Sequence, residues 1–416
     1  MAVPKLRFKE FDQKWGVDAL QDQIDFLAGY AFDSKLMSNE PQKYQLIKMS
    51  NVYQNQLDLT RNPSYWTNID SKIEKFLLKK GDIVLTLTGT VGKTDYGYNV
   101  EIDKDDKFLL NQRLVRLRAK QDLSDSKFIQ YRISTDKFFY HFFYSSKGGT
   151  GNQSNVSIED LKQLELNFPS KAEQTKIATF LSAVDEKISQ LTQKHALLSQ
   201  YKQGMMQKLF SQQIRFKADD GSEFGEWRNK KVIDLFVEIK DKVLNQDIET
   251  YSITAGKGFV SQAEKFGRDI SGQQNSNYIV LKPQDFSYNK GNSKTYKYGC
   301  VYLNEFDYSI AVPNVFISFR AKNINEVNQK FYAKLFEYHY LDKHLRLLIS
   351  SSARMDGLLN VSKDGFFEIN VPYPCLEEQT KIANFLSAID QKIEVVVQQI
   401  EQAKQWKKGL LQQMFV

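Results

Sequence analysis

Cysteine and histidine are scarce in this chain of 416 residues: two cysteines, Cys300 and Cys375, and four histidines, His141, His195, His339 and His344. Two cysteines cannot build a disulfide framework, and their sparing use points to a reducing compartment. The histidines form neither HExxH nor a Cys/His ligand set, which argues against a zinc site. No run approaches the length of an apolar membrane span. The opening MAVPKLRFKEFDQKW lacks the apolar core of a signal peptide, so the cytoplasm is the expected location. No Ser/His/Asp arrangement, carboxylate pair or metal cluster emerges, so no catalytic chemistry is visible. Charge of one sign is not in great excess either. Lys plus Arg number 57 and Asp plus Glu 50, a net charge of +7, which permits a polyanionic partner without demanding one. At about 150 residues per domain the length predicts two or three domains.

What is present is a repeat. Residues 173–188 read EQTKIATFLSAVDEKI and residues 378–393 read EQTKIANFLSAIDQKI, identical at 13 of 16 positions and 205 residues apart. The register holds in both directions. Lys202-Gln203-Gly204 faces Lys407-Lys408-Gly409 downstream, while Pro169 faces Pro374 and Asn155-Val156-Ser157 faces Asn360-Val361-Ser362 upstream. Nearer the start of each half only traces survive: Arg7-Phe8-Lys9 recurs as Arg215-Phe216-Lys217, and Trp15 corresponds to Trp227. Each half is therefore a variable segment followed by a well-matched one, a layout that suggests two specificities and one shared structural job.

The matched segments read as long helices beginning just after the prolines. Steps of four and three pass through Ile177, Leu181, Val184, Ile188, Leu191, His195, Leu198 and Lys202 in the first copy. In the second they pass through Ile382, Leu386, Ile389, Ile393, Val396, Ile400, Ala403 and Lys407. This is a coiled-coil seam. About 40 residues at about 1.5 Å each give a rod of roughly 60 Å, and the natural partner of each rod is the other copy. Lys202 and Lys407 share one seam position, each two residues before a glycine. They read as a frayed end where the lysine stem snorkels out, as a bend or docking point for a partner protein, or as a register device.

The variable segments read as mixed α/β. Strands are expected at 45–49, 82–87, 114–118, 278–281 and 314–319, and helices at 126–144 and 326–350, whose aromatics suit a core better than base stacking. Gly89-Thr90-Val91-Gly92-Lys93-Thr94 follows a strand, but Leu87 stands where a P-loop needs its first glycine, and no helix follows. A tight hairpin turn, or a glycine-rich approach to a phosphate backbone, remains. Asn62-Pro63-Ser64-Tyr65-Trp66 falls short of the NPPY-type loop of amino-methyltransferases and reads as a surface turn. The polar loops Ser145–Gln153 and Ser350–Asp356 stand at matching places in the two halves and carry Asn, Gln, Lys and Arg, side chains that can read adenine and guanine.

Taken together, the chain resembles the DNA specificity (S) subunits of type I restriction–modification enzymes. The likeness rests on the duplicated EQxKIAxFLSAxDxKI helices with their KxGxxQ tails, Pro169 and Pro374, Gly81-Asp82-Ile83 leading to the GTVGK turn, and Asn111-Gln112. Ser276-Asn277-Tyr278, Asp285–Asn289 and the Gly299 turn add to it. The second half lacks the GTVGK and Asn-Gln elements, which implies that the two variable domains belong to different subfamilies.

The resemblance implies an α+β fold with a pseudo-twofold internal repeat: target-recognition domains at 1–170 and 212–374, joined by a central conserved helix at 171–211 and a C-terminal one at 375–416, the two helices packing as an antiparallel coiled coil. Each domain would read one half of a bipartite, asymmetric double-stranded DNA site, and the helices would set the spacer. Two methylation (M) subunits would dock on the chain, with restriction (R) subunits joining through the complex. No cofactor would bind this chain. S-adenosylmethionine, ATP and Mg2+ would sit on partner subunits. Candidate DNA contacts are Gly89, Thr90, Gly92, Lys93, Asn111, Gln112, Arg113, Lys147, Asn152 and Gln153 in the first half, and Asn289, Lys290, Lys294 and Arg354 in the second. Ile177, Leu181, Val184, Ile188, Leu191 and Lys202, with Ile382, Leu386, Ile389, Ile393, Val396 and Lys407, would form the spacer and partner-docking seam. A methylation-only complex, a self-contained methyltransferase and a plain coiled-coil scaffold are the rival readings, the second disfavoured by the missing cofactor motif.

Overall fold

The computed structural model describes residues 3–144, 147–148, 153–244, 246–266, 276–291, 293, 296–349 and 359–415. The chain divides into two compact units, one made of Met1–Thr192 with Gln398–Val416 and the other of Gln193–Val397. Two long helices follow the prolines as expected, Lys171–Phe210 and Leu376–Met414. Each helix passes from one unit to the other part-way along, so each unit holds half of both.

In the first unit a four-stranded antiparallel sheet runs Ile24–Ala28, Leu114–Ala119, Ile83–Thr86, Asn99–Glu101. A second sheet pairs Phe108–Leu110 in parallel with Tyr44–Ile47, which also pairs with Tyr65–Trp66. The period-two alternation of strand Leu114–Ala119 divides its side chains between two cores. Val115 and Leu117 face one core with Phe128, Phe138 and Phe142, whereas Leu114 faces another with Ile47, Phe76 and Val100. The first core is closed by Ile177, Leu181 and Val184 of the central helix and by Leu410, Met414 and Phe415 of the C-terminal helix. These helix segments run antiparallel, and the N-terminal end of the chain lies beside them, with Leu6 N–H donating to Gln413 O at 3.0 Å.

The second unit repeats this plan. Its sheet runs Phe236–Glu238, Ile317–Ala321, Phe286–Asn289, Cys300–Leu303. Phe286 and Phe319 stack at 5.1 Å in a core closed by Met206, Leu209 and Phe210 together with Ile382, Leu386 and Ile389, again an antiparallel helix pair. In both units the strand before the long helix (Glu165–Phe168, Asn370–Tyr373) pairs with an early strand (Gly16–Ala19, Arg228–Lys231) and ends at the proline.

Two expected helices are broken. The run 126–144 forms Ser126–Arg132 and Asp136–Tyr144. At the break Thr135 Oγ1 donates to Arg132 O and accepts from Phe138 N–H, capping a new helix start. The run 326–350 forms Gln329–Glu337 and Asp342–Leu348, parted at His339, whose φ of 61° lies in the left-handed region. The expected strand at 314–319 begins only at Ile317. The aromatics of these runs go to the core only in part: Phe128, Phe138, Phe331 and Tyr332 are fully buried, whereas Tyr140 and Tyr144 are exposed and stack on each other. Among the described residues no helix is long and apolar enough to cross a membrane.

Candidate nucleic-acid interface

The repeated letters at the head of each helix anchor the unit. Glu173 and Gln174 are buried, as are Glu378 and Gln379. Glu173 accepts from Arg7 Nε (2.8 Å) and Nη2 (2.7 Å) and from Trp15 Nε1 (3.2 Å). Glu378 accepts from Arg215 Nε (3.0 Å) and Nη2 (2.7 Å) and from Trp227 Nε1 (2.8 Å). Gln174 donates to Pro169 O and Leu123 O and accepts from Asp125 N–H, while Gln379 donates to Pro374 O and Glu326 O and accepts from Asn328 N–H. Asp125 and Asn328 cap the helices that follow them. Helix, strand and helical cap are thereby locked together in each unit.

Lower on the helices Lys407 Nζ lies 2.6 Å from Asp185, and Lys202 Nζ lies 2.5 Å from Asp390 while also pairing with Glu337. Asp185 and Asp390 are one repeat apart, as are the two lysines. Lys202 is therefore no frayed end: the helix runs unbroken past Gly204 to Phe210, and the lysine is a paired, largely buried charge. Ile177, Leu181, Val184, Leu191, Ile382, Leu386, Ile389 and Val396 are buried along the seam, with Ile188 and Ile393 partly buried.

In the first unit two of the sequence signals meet. The strand Thr88–Thr90 continues from the central sheet, and Leu87 N–H donates to Arg113 O at 3.2 Å, joining the GTVGK hairpin to the Asn111-Gln112-Arg113 turn. The two glycines of the hairpin serve different ends. A Cβ on Gly89 would lie 2.2 Å from Tyr96 Cδ1, whereas Gly92 has open space but a φ of +75°. Asp95 accepts from Thr90 N–H (2.8 Å) and Thr90 Oγ1 (2.7 Å). These bonds, first the backbone one, hold its carboxyl below the usual range. Val91, Gly92 and Lys93 stand exposed at the tip, and no helix follows.

The neighbouring turn exposes Gln112 and Arg113, the latter at φ +67°, while Asn111 is buried, with no hydrogen-bond partner for Oδ1 among the described residues. Lys48, Met49 and Ser50 complete a depression of about 290 Å³ around this turn. Burial lowers the Lys48 ammonium, which donates to Ser64 Oγ at 2.8 Å. Lys48 is not marked out by its local sequence; the pairing of Ile47 with Leu110, extended by Asn111 N–H donating to Ile47 O at 3.2 Å, carries it beside the turn.

The strands Lys147–Gly148 and Gln153–Asn155 extend the GTVGK strand into a three-stranded sheet. In the second unit Asn289 is spent internally, donating to Ile253 O (3.1 Å) and accepting from Gly291 N–H (2.8 Å). Lys290 follows it, and its carbonyl accepts from Leu359 N–H. Asn152, Lys294 and Arg354 lie outside the described residues.

This paired layout has counterparts among known proteins. The sequence profile of the type I restriction modification DNA specificity domain matches residues 12–200 and 225–405. The chain belongs to that family and carries its domain twice. It is 24% identical over 439 residues to the protein provisionally named type I restriction enzyme MjaX specificity subunit of Methanocaldococcus jannaschii, covering 98% of this chain and 94% of that one. It is 26% identical over 363 residues to the MjaVIII specificity subunit of the same organism, covering 81% and 79%. In fold it is similar to the crystal structure of the type I restriction–modification S subunit from M. genitalium, with a TM-score of 0.61, 19% identity, and 100% and 99% of the two chains covered.

Proposed function

We propose that this chain is the DNA-reading specificity subunit of a type I restriction–modification complex and has no catalysis of its own. The observation that carries the reading is the pair of family domains, each on a unit with the same internal anchoring but different peripheral loops. The GTVGK hairpin and Asn-Gln-Arg turn of the first unit have no sequence counterpart in the second. Residues 1–170 and 212–374 act as the two target-recognition domains, and the helices at 171–211 and 375–416 set the spacer between half-sites. Each domain reads one half of a split site in cytoplasmic double-stranded DNA. Two methylation subunits dock along the helices and methylate adenine with S-adenosylmethionine. Restriction subunits supply ATP- and Mg2+-dependent cleavage.

The test is a domain exchange. Residues 212–373 are replaced by the corresponding segment of another family member, and methylated adenines are mapped in a host expressing the whole complex. One half-site changes and the other is retained. If both halves change, or neither does, the assignment fails.

A further inference from the structure

Strand Leu114–Ala119 carries two arginines on the face opposite Val115 and Leu117, and they are held very differently. Arg118 forms a two-pronged pair with buried Asp82, at 2.6 and 2.8 Å. Arg116 is half-buried and forms no hydrogen bond or ion pair among the described residues, and its Nε is shut off from solvent without a partner. Arg116 feels Asp82 and Asp25 at a distance, but burial, and after it Arg118, lowers its pKa. A guanidinium kept half-desolvated without a partner is costly.

The repeat shows that the fold does not require this cation. Asp82-Ile83-Val84 corresponds to Asp285-Phe286-Ser287, and Arg118 to Arg320, which likewise forks onto Asp285 at 3.2 and 2.9 Å. The position equivalent to Arg116 is then Ser318, a buried neutral residue bonded to Ser287 Oγ at 3.1 Å. The second unit builds the same strand without an unpaired charge.

Arg116 opens onto a basin of about 670 Å³ lined also by Lys43, Lys75, Lys79 and Arg118. Glu74 and Asp106 are the carboxylates on its wall. None of the three lysines is in an ion pair among the described residues; Lys43 and Lys75 instead lie over the rings of Tyr44 and Phe76 at 4.9 and 5.1 Å. A concave wall with four cations outside any ion pair among the described residues concentrates anions. The basin lies at the start of the paired strands Tyr44–Ile47 and Phe108–Leu110, whereas the Asn111–Arg113 turn lies at their other end.

We infer that this basin binds a phosphodiester of the DNA backbone, so that Arg116, with Lys75 and Lys79, makes a sequence-independent contact away from the base-reading turn. The inference rests on the DNA-reading function proposed above. Phosphate contacts fix a protein on the duplex and carry its salt dependence, leaving sequence choice to other groups.

The test uses the full chain with Arg116→Gln, Arg116→Lys and the Lys75→Gln/Lys79→Gln pair, binding fluorescent duplexes of several unrelated sequences across a salt series. Arg116→Gln is expected to weaken binding about 3- to 10-fold, by a similar factor on every duplex. It should reduce the slope of log affinity against log salt by about 0.9 per lost contact. Arg116→Lys retains most of the affinity, and melting temperatures confirm that all variants fold. Unchanged affinity and slope in Arg116→Gln, or a loss confined to one sequence, overturns the inference. So does a result in which inorganic phosphate raises the melting temperature of wild type but not of Arg116→Gln while duplex binding is identical in both, since the basin then takes free phosphate. Wild type that binds no duplex even with the methylation subunits assembled on it overturns the DNA-reading function itself, which is a separate outcome.

Discussion

Glu378 sits fully buried at the head of a helix, receiving a forked guanidinium and an indole N–H. Removing the carboxylate breaks charge-assisted hydrogen bonds, while the guanidinium left behind is part-exposed and still donates to Gly225 O, so the cost is about 1.5–3 kcal/mol. Glu378→Ala is therefore expected to lower the denaturant midpoint of the second unit sharply and to spare the first, and Glu173→Ala to do the reverse; hydrogen exchange resolved by residue distinguishes the units. The role of these carboxylates was not legible from the helix itself, where an acidic residue in the first turn reads as solvated and favourable. The faint recurrence of Arg7 with Trp15 as Arg215 with Trp227 was the available signal, and those residues prove to be the partners. The hairpin glycines make a second residue-level contrast. Gly89→Ala drives a methyl into Tyr96 and Asp95, whereas Gly92→Ala meets open space and only the left-handed backbone cost of about 1–2 kcal/mol. Thermal melts should rank Gly89→Ala as the more damaging. Cys300 is buried and its thiol is pushed up to about 11 by that burial, while Cys375 is exposed. At pH 8 a thiol reagent should label one cysteine promptly and the other only on unfolding.

At the scale of elements, the long helices were the most legible part of the chain, because an identical block with a regular apolar step admits one reading. Their partners in each unit were less so. The pairing of Lys202 with Asp390 and Glu337, and of Lys407 with Asp185, depends on an antiparallel register that neither segment states alone. Lys202 is the more enclosed and holds two carboxylates, so Lys202→Ala should destabilise its unit more than Lys407→Ala does. The shorter helices were misread as continuous, since Thr135 and His339 are ordinary helix residues until capping or a left-handed turn recruits them. The basin around Arg116 was invisible for a related reason: an arginine alternating with Val and Leu in a strand reads as an outward, solvated side chain. If the helices set the spacer, four residues inserted after Thr192 and four after Val397 fall at the division between units and leave the packing inside each intact. About one added turn, roughly 6 Å, should lengthen the recognised spacer by one or two base pairs without altering the half-sites. Mapping methylated adenines reads the result, and an unaltered spacer rejects the ruler.

At the scale of the whole molecule, the second unit is a continuous stretch, Gln193–Val397, whereas the first needs two separate stretches of chain. The fragment 193–397 carries its own helix pair and core, so it should fold alone with a cooperative melt. Removing residues 398–416 instead takes Leu410, Met414 and Phe415 out of the core of the first unit. That truncation should leave the first unit loosely packed and the second intact, which proteolysis would show. The overall division into two like halves was plain from the repeat. The phase of the division was not, because a repeat has a period but no marked starting point, and packing chose to cut both helices near their middles. The bond from Leu6 to Gln413 carries that point further. Leu6 and Gln413 already touch, so a short linker between the segments that carry them could join these segments, and the backbone could be opened between Thr192 and Gln193. Such a circular permutant would thread both units in uninterrupted order, which makes the sequence order of the two readers a matter of where the chain is opened rather than of how it folds.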